Sequence, residues 1–406
     1  VAGKKQRSEA VAPPGLDALL ASKEMVLVCG SGGVGKTTIA AALGLVAAVH
    51  QDAKVLVLTV DPARRLADAL GVGALGNRAV RVPESAFAGT GVQPRGELWA
   101  AMLDTKAGWD DLIRRHAPDA TVRESVLSNP LYQNITGRFV HSHDYLAMEQ
   151  LHEVHASGAY DLVVVDTPPS RNALDVLDAP ARMVEFFGSR LLRWLTVPYR
   201  SRLFNVASKP FMQVADRVLG SHFLQDIAQF FILFQAMEKG FVARAREVEA
   251  LLGDPRTTFV IVSTLEAAPA HEATFLAREL SSRRYQLGAI VANRVLPKGL
   301  TSRAAATSAR KLADAVATTG LASEVAATLS GGRRSRSTDD AVAAETVSTV
   351  LAEIAGRFHD VALVATREAE RRTELAALAP QLLDVEALPT DIHDVAGLLA
   401  IVEQLV

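Results

Sequence analysis

At 406 residues the chain can bury a large core and still carry an additional lobe, and a formal net charge of −2 argues against a nucleic-acid-binding protein. One cysteine, Cys29, excludes an internal disulfide framework and any zinc site built from this chain's cysteines alone. The first residues, VAGKKQRSEAVAPPGL, lack the apolar segment of a signal peptide. No uncharged apolar run reaches the roughly 18 residues of a membrane span, so a cytoplasmic location is expected.

In chain order, residues 1–22 read as a loose basic leader. MVLVC (25–29) is a short buried strand, and TTIAAALGLVAAV (37–49) is rich in helix formers. KVLVLTV (54–60) is a second strand running into Asp61, and ELWAAMLD (97–104) is a third. Residues 105–157 carry helical patterns, DLVVVD (161–166) is a strand ending on an acid, and residues 171–250 are mostly helical. TTFVIVST (257–264) and LGAIVAN (287–293) are strands separated by a helix. Residues 300–357 are helical, broken by the basic stretch SGGRRSRST (330–338). HDVALVA (359–365) and LLDVEAL (382–388) read as the last strands. Strands alternating with helices predict an α/β fold with a doubly wound, mainly parallel sheet. The pattern fits one domain over 23–406 with helical insertions at about 105–157, 171–250 and 300–357.

Between the first strand and the first long helix stands GSGGVGKTT (30–38). Gly30, Gly35, Lys36 and Thr37 meet the spacing G-x-x-x-x-G-K-[ST] of a phosphate-binding loop, in the strand-to-helix context the motif requires. Glycines let backbone N–H groups approach phosphate oxygens closely, and the helix dipole adds positive charge at the same end. Gly30, Ser31, Gly32, Gly33, Val34, Gly35, Lys36, Thr37 and Thr38 therefore form the candidate nucleotide-binding loop. Lys36 is expected to bridge the β- and γ-phosphates of ATP, and the Thr37 hydroxyl to coordinate Mg²⁺.

In a doubly wound sheet the ligand lies beyond the carboxyl ends of the strands. Asp61, Asp166 and Asn293 fall there. Asp166 suits a Walker B role, holding Mg²⁺ directly or through water beside Thr37. Asp61 is placed to orient the attacking water. Lys36, Asp61 and Asp166 are thus the candidate catalytic residues, with Thr37, Asp61 and Asp166 around the metal. Asn293 carries a donor and an acceptor on one side chain, which suits an adenine edge. The plainer alternative for all three is a polar strand end that caps a neighbouring helix.

GSGGVGKTT, VDPARRLADALG (60–71), DTPPSRNALDVLD (166–178) and ANRVLP (292–297) resemble, in that order, the phosphate loop, switch I, switch II and adenine loop of ArsA-type ATPases. That family includes the arsenite-pump ATPase and the targeting ATPase for tail-anchored membrane proteins, and it is grouped with MinD and ParA as deviant Walker A proteins. VEALPTDIHDVAGL (385–398) resembles the family's last strand and the loop that packs on adenine, which nominates Pro389 and Thr390. The likeness is greatest to actinobacterial-style members with a single phosphate loop, often described as anion-transporting ATPases. The resemblance implies a Mg²⁺-dependent ATP hydrolase acting as a dimer, with two nucleotides near the interface. It also implies switches that couple hydrolysis to opening, and a membrane-related client served from the cytoplasm or the membrane periphery. By the same likeness Asp61 positions the water, and Asp166 senses Mg²⁺ and the γ-phosphate.

The chain departs from the family at three points. Ser31 stands where members usually carry a lysine that reaches the partner's phosphates, as an arginine finger does. A short neutral side chain cannot do that, and such fingers can matter by factors of about 10³ or more in rate. Three outcomes are open: slow hydrolysis, substitution by Arg64, Arg65 or Arg171, or a heterodimer in which a paralogous ATPase supplies the lysine. The C-x-x-C that clamps eukaryotic targeting members with zinc is missing, so no zinc is expected. Cys29 alone also makes arsenite activation unexpected.

Three further features carry two readings each. Residues 186–241 hold 9 Phe, Trp194 and Tyr199, half of the chain's aromatics, including Phe230, Phe231 and Phe234. They form either a closed helical core or a client-binding surface. His141, His143, His152 and His155 make a metal site or polar helix faces. Arg333, Arg334 and Arg336 lie in a solvated loop or touch anionic lipid. Two rival functions remain: a weakly hydrolysing nucleotide-binding subunit of a paralogous ATPase, and a ParA/MinD-like positioning ATPase.

Overall fold

The computed structural model describes residues 15–60, 65–103, 110–111, 113–115, 117–129, 132, 142–168, 178, 181–182, 184–185, 232, 238–318, 320–329 and 337–406. Its strands are β1 (Met25–Cys29), β2 (Lys54–Thr59), β3 (Val80–Arg81), β4 (Glu97–Met102), β5 (Leu162–Asp166), β6 (Thr257–Ser263), β7 (Leu287–Val295) and β8 (Leu382–Glu386). They form one sheet in the order β3-β4-β2-β5-β1-β6-β7-β8. Every pairing is parallel except β3 with β4. β1 lies between β5 and β6, with β2 beyond β5 on one side and β7 beyond β6 on the other. The chain therefore reverses its direction of winding at β1, which opens a crevice at that strand's carboxyl end.

The continuous apolar runs become strands because both faces of the sheet are covered. Alternate residues feed two cores. Val26, Val28, Val57, Val164, Val260 and Val291 face helices α1 (Leu16–Ala21), α2 (Lys36–His50) and the C-terminal helix Val395–Leu405. Leu27, Leu58, Val165, Phe259, Ile261 and Ile290 face the opposite layer, which includes the helices Ser142–Ala156, Glu238–Leu252 and Ala267–Ser282. Helices α3 (Arg65–Ala69), α4 (Ala120–Leu127), α5 (Ser142–Ala156), α6 (Glu238–Leu252), α7 (Ala267–Ser282), α8 (Lys298–Thr301), α9 (Arg303–Thr318), α10 (Leu321–Leu329), α11 (Ser337–Ala376) and α12 (Val395–Leu405) complete the described set. No helix among the described residues is long and apolar enough to cross a membrane.

Three expectations need correction. HDVALVA is not a strand but part of the 40-residue helix α11. Within it only Ala365 is buried, and Leu363 and Val364 are about half exposed, whereas a strand inside this sheet would be covered on both faces. The flanking Ala, Glu and Arg residues favour helix, and an established helix propagates through a few β-branched residues at small cost. The expected leader also ends early: Leu16, Leu19 and Leu20 share one face of α1 and are buried in the core. The helical stretch expected over 300–357 continues to Ala376. The short strand β3, which the sequence reading passed over, extends the β4 edge. The aromatic segment up to residue 237 lies outside the described residues, apart from Ile232. So do Arg333, Arg334 and Arg336.

Candidate functional site

β1 ends at Cys29, and the phosphate loop turns directly from it into α2. Gly30, Gly33 and Gly35 adopt φ of 149°, 81° and 95°, values that side chains rarely tolerate. The packing is equally restrictive. A Cβ on Gly30 would lie 2.1 Å from the Val262 carbonyl oxygen, and one on Gly35 would lie 2.3 Å from Asn293 Nδ2. The loop is therefore packed closely against the carboxyl ends of β6 and β7, and Gly35 caps the N-terminus of α2 with no side-chain cap bond. This leaves the first N–H groups of the helix available to an anion.

Lys36 is buried, and its Nζ donates to the carbonyl oxygen of Ser31 at 2.9 Å. The Ser31 hydroxyl is shielded from solvent and has no hydrogen-bond partner among the described residues. Thr37 Oγ1 donates to Asp166 Oδ2 at 2.7 Å, and Thr59 Oγ1 donates to the same oxygen at 2.8 Å. Asp166 is only 1% exposed, so a carboxylate is held at the end of β5 with two hydroxyls aimed at it. Hydroxyl and carboxylate oxygens are hard donors, the set Mg²⁺ prefers, and Thr37 and Asp166 would hold it. Burial pushes the Cys29 thiol up to about 12, so Cys29 is an inert strand end. Burial also raises the Glu272 carboxyl on α7, with the Lys36 ammonium acting in the opposite direction.

Beside the loop lies a cavity of about 540 Å³. Gly35, Thr37, Thr38, Arg65, Asn293 and Arg294 line its phosphate side, and the rest of the lining mixes apolar residues such as Leu388 and Ile392 with the polar Asp68, Glu386, Thr390, Asp391 and His393. Asn293 is buried, and its Nδ2 donates to Val34 O at 2.7 Å, so this side chain braces the loop as well as lining the cavity. Thr390 lines the cavity; Pro389 is exposed and does not.

The structure thus brings together Gly30 to Thr38, Asp166, Asn293 and Thr390. Asp61 lies outside the described residues, as do Arg64 and Arg171. Thr59 and Arg294 were missed in the sequence. Thr59 is the polar residue in an otherwise apolar run two positions before Asp61, and that was the available signal. His152 and His155 sit in ion-pair networks. Arg244 Nη1 lies 2.8 Å from His152 Nδ1, and His155 Nε2 lies 2.8 Å from Glu24 Oε2. No group of three or more metal-binding side chains occurs among the described residues; His141 and the side chain of His143 lie outside them.

Residues 23–321 match the anion-transporting ATPase family. An uncharacterized protein of Streptomyces coelicolor is 29% identical over 277 residues, which is 67% of this chain and 63% of that protein. This chain therefore spans less than two thirds of that relative. An ATPase GET3 of Komagataella phaffii is 26% identical over 287 residues, covering 68% of this chain and 74% of its own length. An ATPase ASNA1 homolog of Entamoeba dispar is 24% identical over 290 residues, covering 70% and 81%.

Proposed function

The chain belongs to the anion-transporting ATPase family, and on that premise we propose that it binds ATP with Mg²⁺ at the β1–α2 loop and hydrolyses the β–γ phosphoanhydride bond. The observation that carries this reading is the Thr37–Asp166 contact beside a loop of three positive-φ glycines. Bound Mg²⁺ would neutralise charge that builds on the phosphate oxygens in a loose transition state. Lys36 exchanges its contact with Ser31 O for the β- and γ-phosphates, and the N–H groups leading into α2 hold the phosphate chain. Asp61 orients the attacking water, while Asn293, Thr390 and the side chains of Leu388 and Ile392 receive the base. Catalysis of phosphoryl transfer is mostly positioning plus charge neutralisation, and a rigid nest supplies the positioning.

The wider role we propose is that of a dimeric switch whose nucleotide state is read by a membrane-related client. Relatives named as ATPases support the reaction class. The heterodimer in this reading rests on Ser31: its side chain is short and neutral and its hydroxyl is shielded from solvent, so two identical chains would bring no cation to each other's phosphates at that position. The same observation favours a second reading, a weakly hydrolysing subunit that stabilises a catalytic paralogue.

Steady-state hydrolysis by the chain alone separates the two. Turnover that Lys36→Ala abolishes, and that Asp61→Asn lowers while ATP binding persists, supports the enzyme. Binding without turnover, with turnover appearing in Ser31→Lys, supports the subunit. No calorimetric heat with MgATP sinks both.

A further inference from the structure

Two residues outside glycine have positive φ among the described residues, Arg284 at 62° and Arg294 at 57°. Arg284 follows the C-cap of α7, and Tyr285 N–H returns to Leu280 O at 2.9 Å, the ordinary way a helix ends in a left-handed residue. Arg294 has no helix to end. It interrupts β7 between Asn293, paired with Val385, and Val295, paired with the next residue, Glu386. One residue on β8 is thus spanned by two on β7, a bulge.

The bulge changes where consecutive side chains point. In a regular strand Asn293 and Arg294 would face opposite sides of the sheet. Here both reach the phosphate loop: Asn293 Nδ2 donates to Val34 O at 2.7 Å, and Arg294 Nη1 donates to Gly33 O at 3.4 Å. Two successive carbonyls of the loop are held from outside. Backbone carbonyl and N–H groups of a peptide unit point in opposite directions, so holding these carbonyls outward turns the following N–H groups inward, where a phosphate sits. At 3.4 Å the arginine bond is long, and the guanidinium's positive charge strengthens its hold on the Gly33 carbonyl.

We propose that Arg294 is a positioning residue for the nucleotide's β- and γ-phosphates: the β7 bulge, at the expense of backbone strain, delivers its guanidinium to the outside of the phosphate loop and presets the loop's amides for a triphosphate. This rests on the nucleotide-binding reading of the site and deepens it. Arg294 acts through the loop, so its loss affects ligands by how many phosphates they carry.

The test is calorimetry of the full chain with MgATP and with AMP, on the parent, Arg294→Lys and Arg294→Gly, beside urea denaturation. Glycine accepts φ of 57° without strain, so Arg294→Gly is expected to be at least as stable as the parent. It is expected to bind MgATP about ten-fold more weakly, a loss near 1.4 kcal/mol by affinity arithmetic, with AMP binding unchanged. Arg294→Lys keeps a charged donor and is expected within about three-fold of the parent. Unchanged MgATP affinity in Arg294→Gly, or an equal loss for MgATP and AMP, overturns the proposal. A parent that binds no MgATP overturns the nucleotide reading and this proposal together, and the two failures are thereby distinct.

Discussion

Thr59→Val tests the buried centre of the site with little change of shape. Thr59 is 1% exposed at the end of β2, and its hydroxyl donates to Asp166 Oδ2 at 2.8 Å, the oxygen that also receives Thr37 Oγ1 at 2.7 Å. Valine fills the same volume and withdraws one donor from a buried carboxylate. A hydrogen bond to a charged group contributes about 1.5–3 kcal/mol, and the acceptor cannot recover the loss from water at this depth. At about 1.2 °C per kcal/mol for a chain of 406 residues, the midpoint of thermal unfolding should fall by roughly 2–4 °C. Asp166 then loses one of the hydroxyls that position it beside Thr37, whose hydroxyl is the one expected to meet Mg²⁺, so MgATP affinity should also fall. Thr59→Ser is the control: it loses a methyl group and some stability but keeps the donor, and so keeps MgATP affinity. Differential scanning calorimetry and titration with MgATP read both quantities. A Thr59→Val chain with the parent's midpoint and the parent's affinity would refute the view that this hydroxyl holds the carboxylate in place.

Gly30→Ala should cost several kcal/mol, roughly the range for overpacking and backbone strain combined, because its Cβ would lie 2.1 Å from Val262 O at φ 149°; urea denaturation and MgATP titration should both register the loss. Gly356→Ala should do the opposite: Gly356 is exposed within α11 with open space around its Cβ position, so alanine should add about 0.5–1 kcal/mol in urea denaturation. Cys29, pushed up to about 12, should resist iodoacetamide at pH 8 in the folded chain and react once urea unfolds it, as mass spectrometry would record. His152 is held below the ordinary histidine range by burial and by Arg244, with Glu247 and Glu149 opposing and His155 adding to the lowering. The unfolded chain therefore takes up that proton first on acidification. The stability linked to His152 is fully present above about pH 6.5 and is lost as pH falls through the folded value, so His152→Asn should flatten the decline in urea midpoint on acidification below about pH 6.5.

The strands that build the sheet were legible because a parallel strand covered on both faces is written as a continuous apolar run, and 25–29, 54–60, 161–166, 257–264 and 287–293 all have that form. HDVALVA has the same form and is helical, because a short apolar run does not specify its own period; the surrounding Ala, Glu and Arg residues of α11 decide it. The phosphate loop was legible for a related reason. The need for glycine at Gly30 and Gly35 comes from backbone angles and close approach, and such demands leave a compact mark in the sequence.

What holds that loop leaves no such mark. Arg294 reads as an ordinary residue in ANRVLP until β7 is aligned with β8, since the bulge exists only in the register Asn293 to Val385 and Val295 to Glu386. Asn293 was read for its fit to adenine, whereas its geometry adds a contact to Val34 O that depends on β7 lying beside the β1–α2 turn. The chemistry of this site is therefore local in the sequence and its rigidity is not. A variant that keeps GSGGVGKTT intact and changes only the β7 end should keep the nucleotide's charge complement and lose part of its preorganisation. That difference should appear in affinity for the longer phosphate chain before it appears in the stability of the fold.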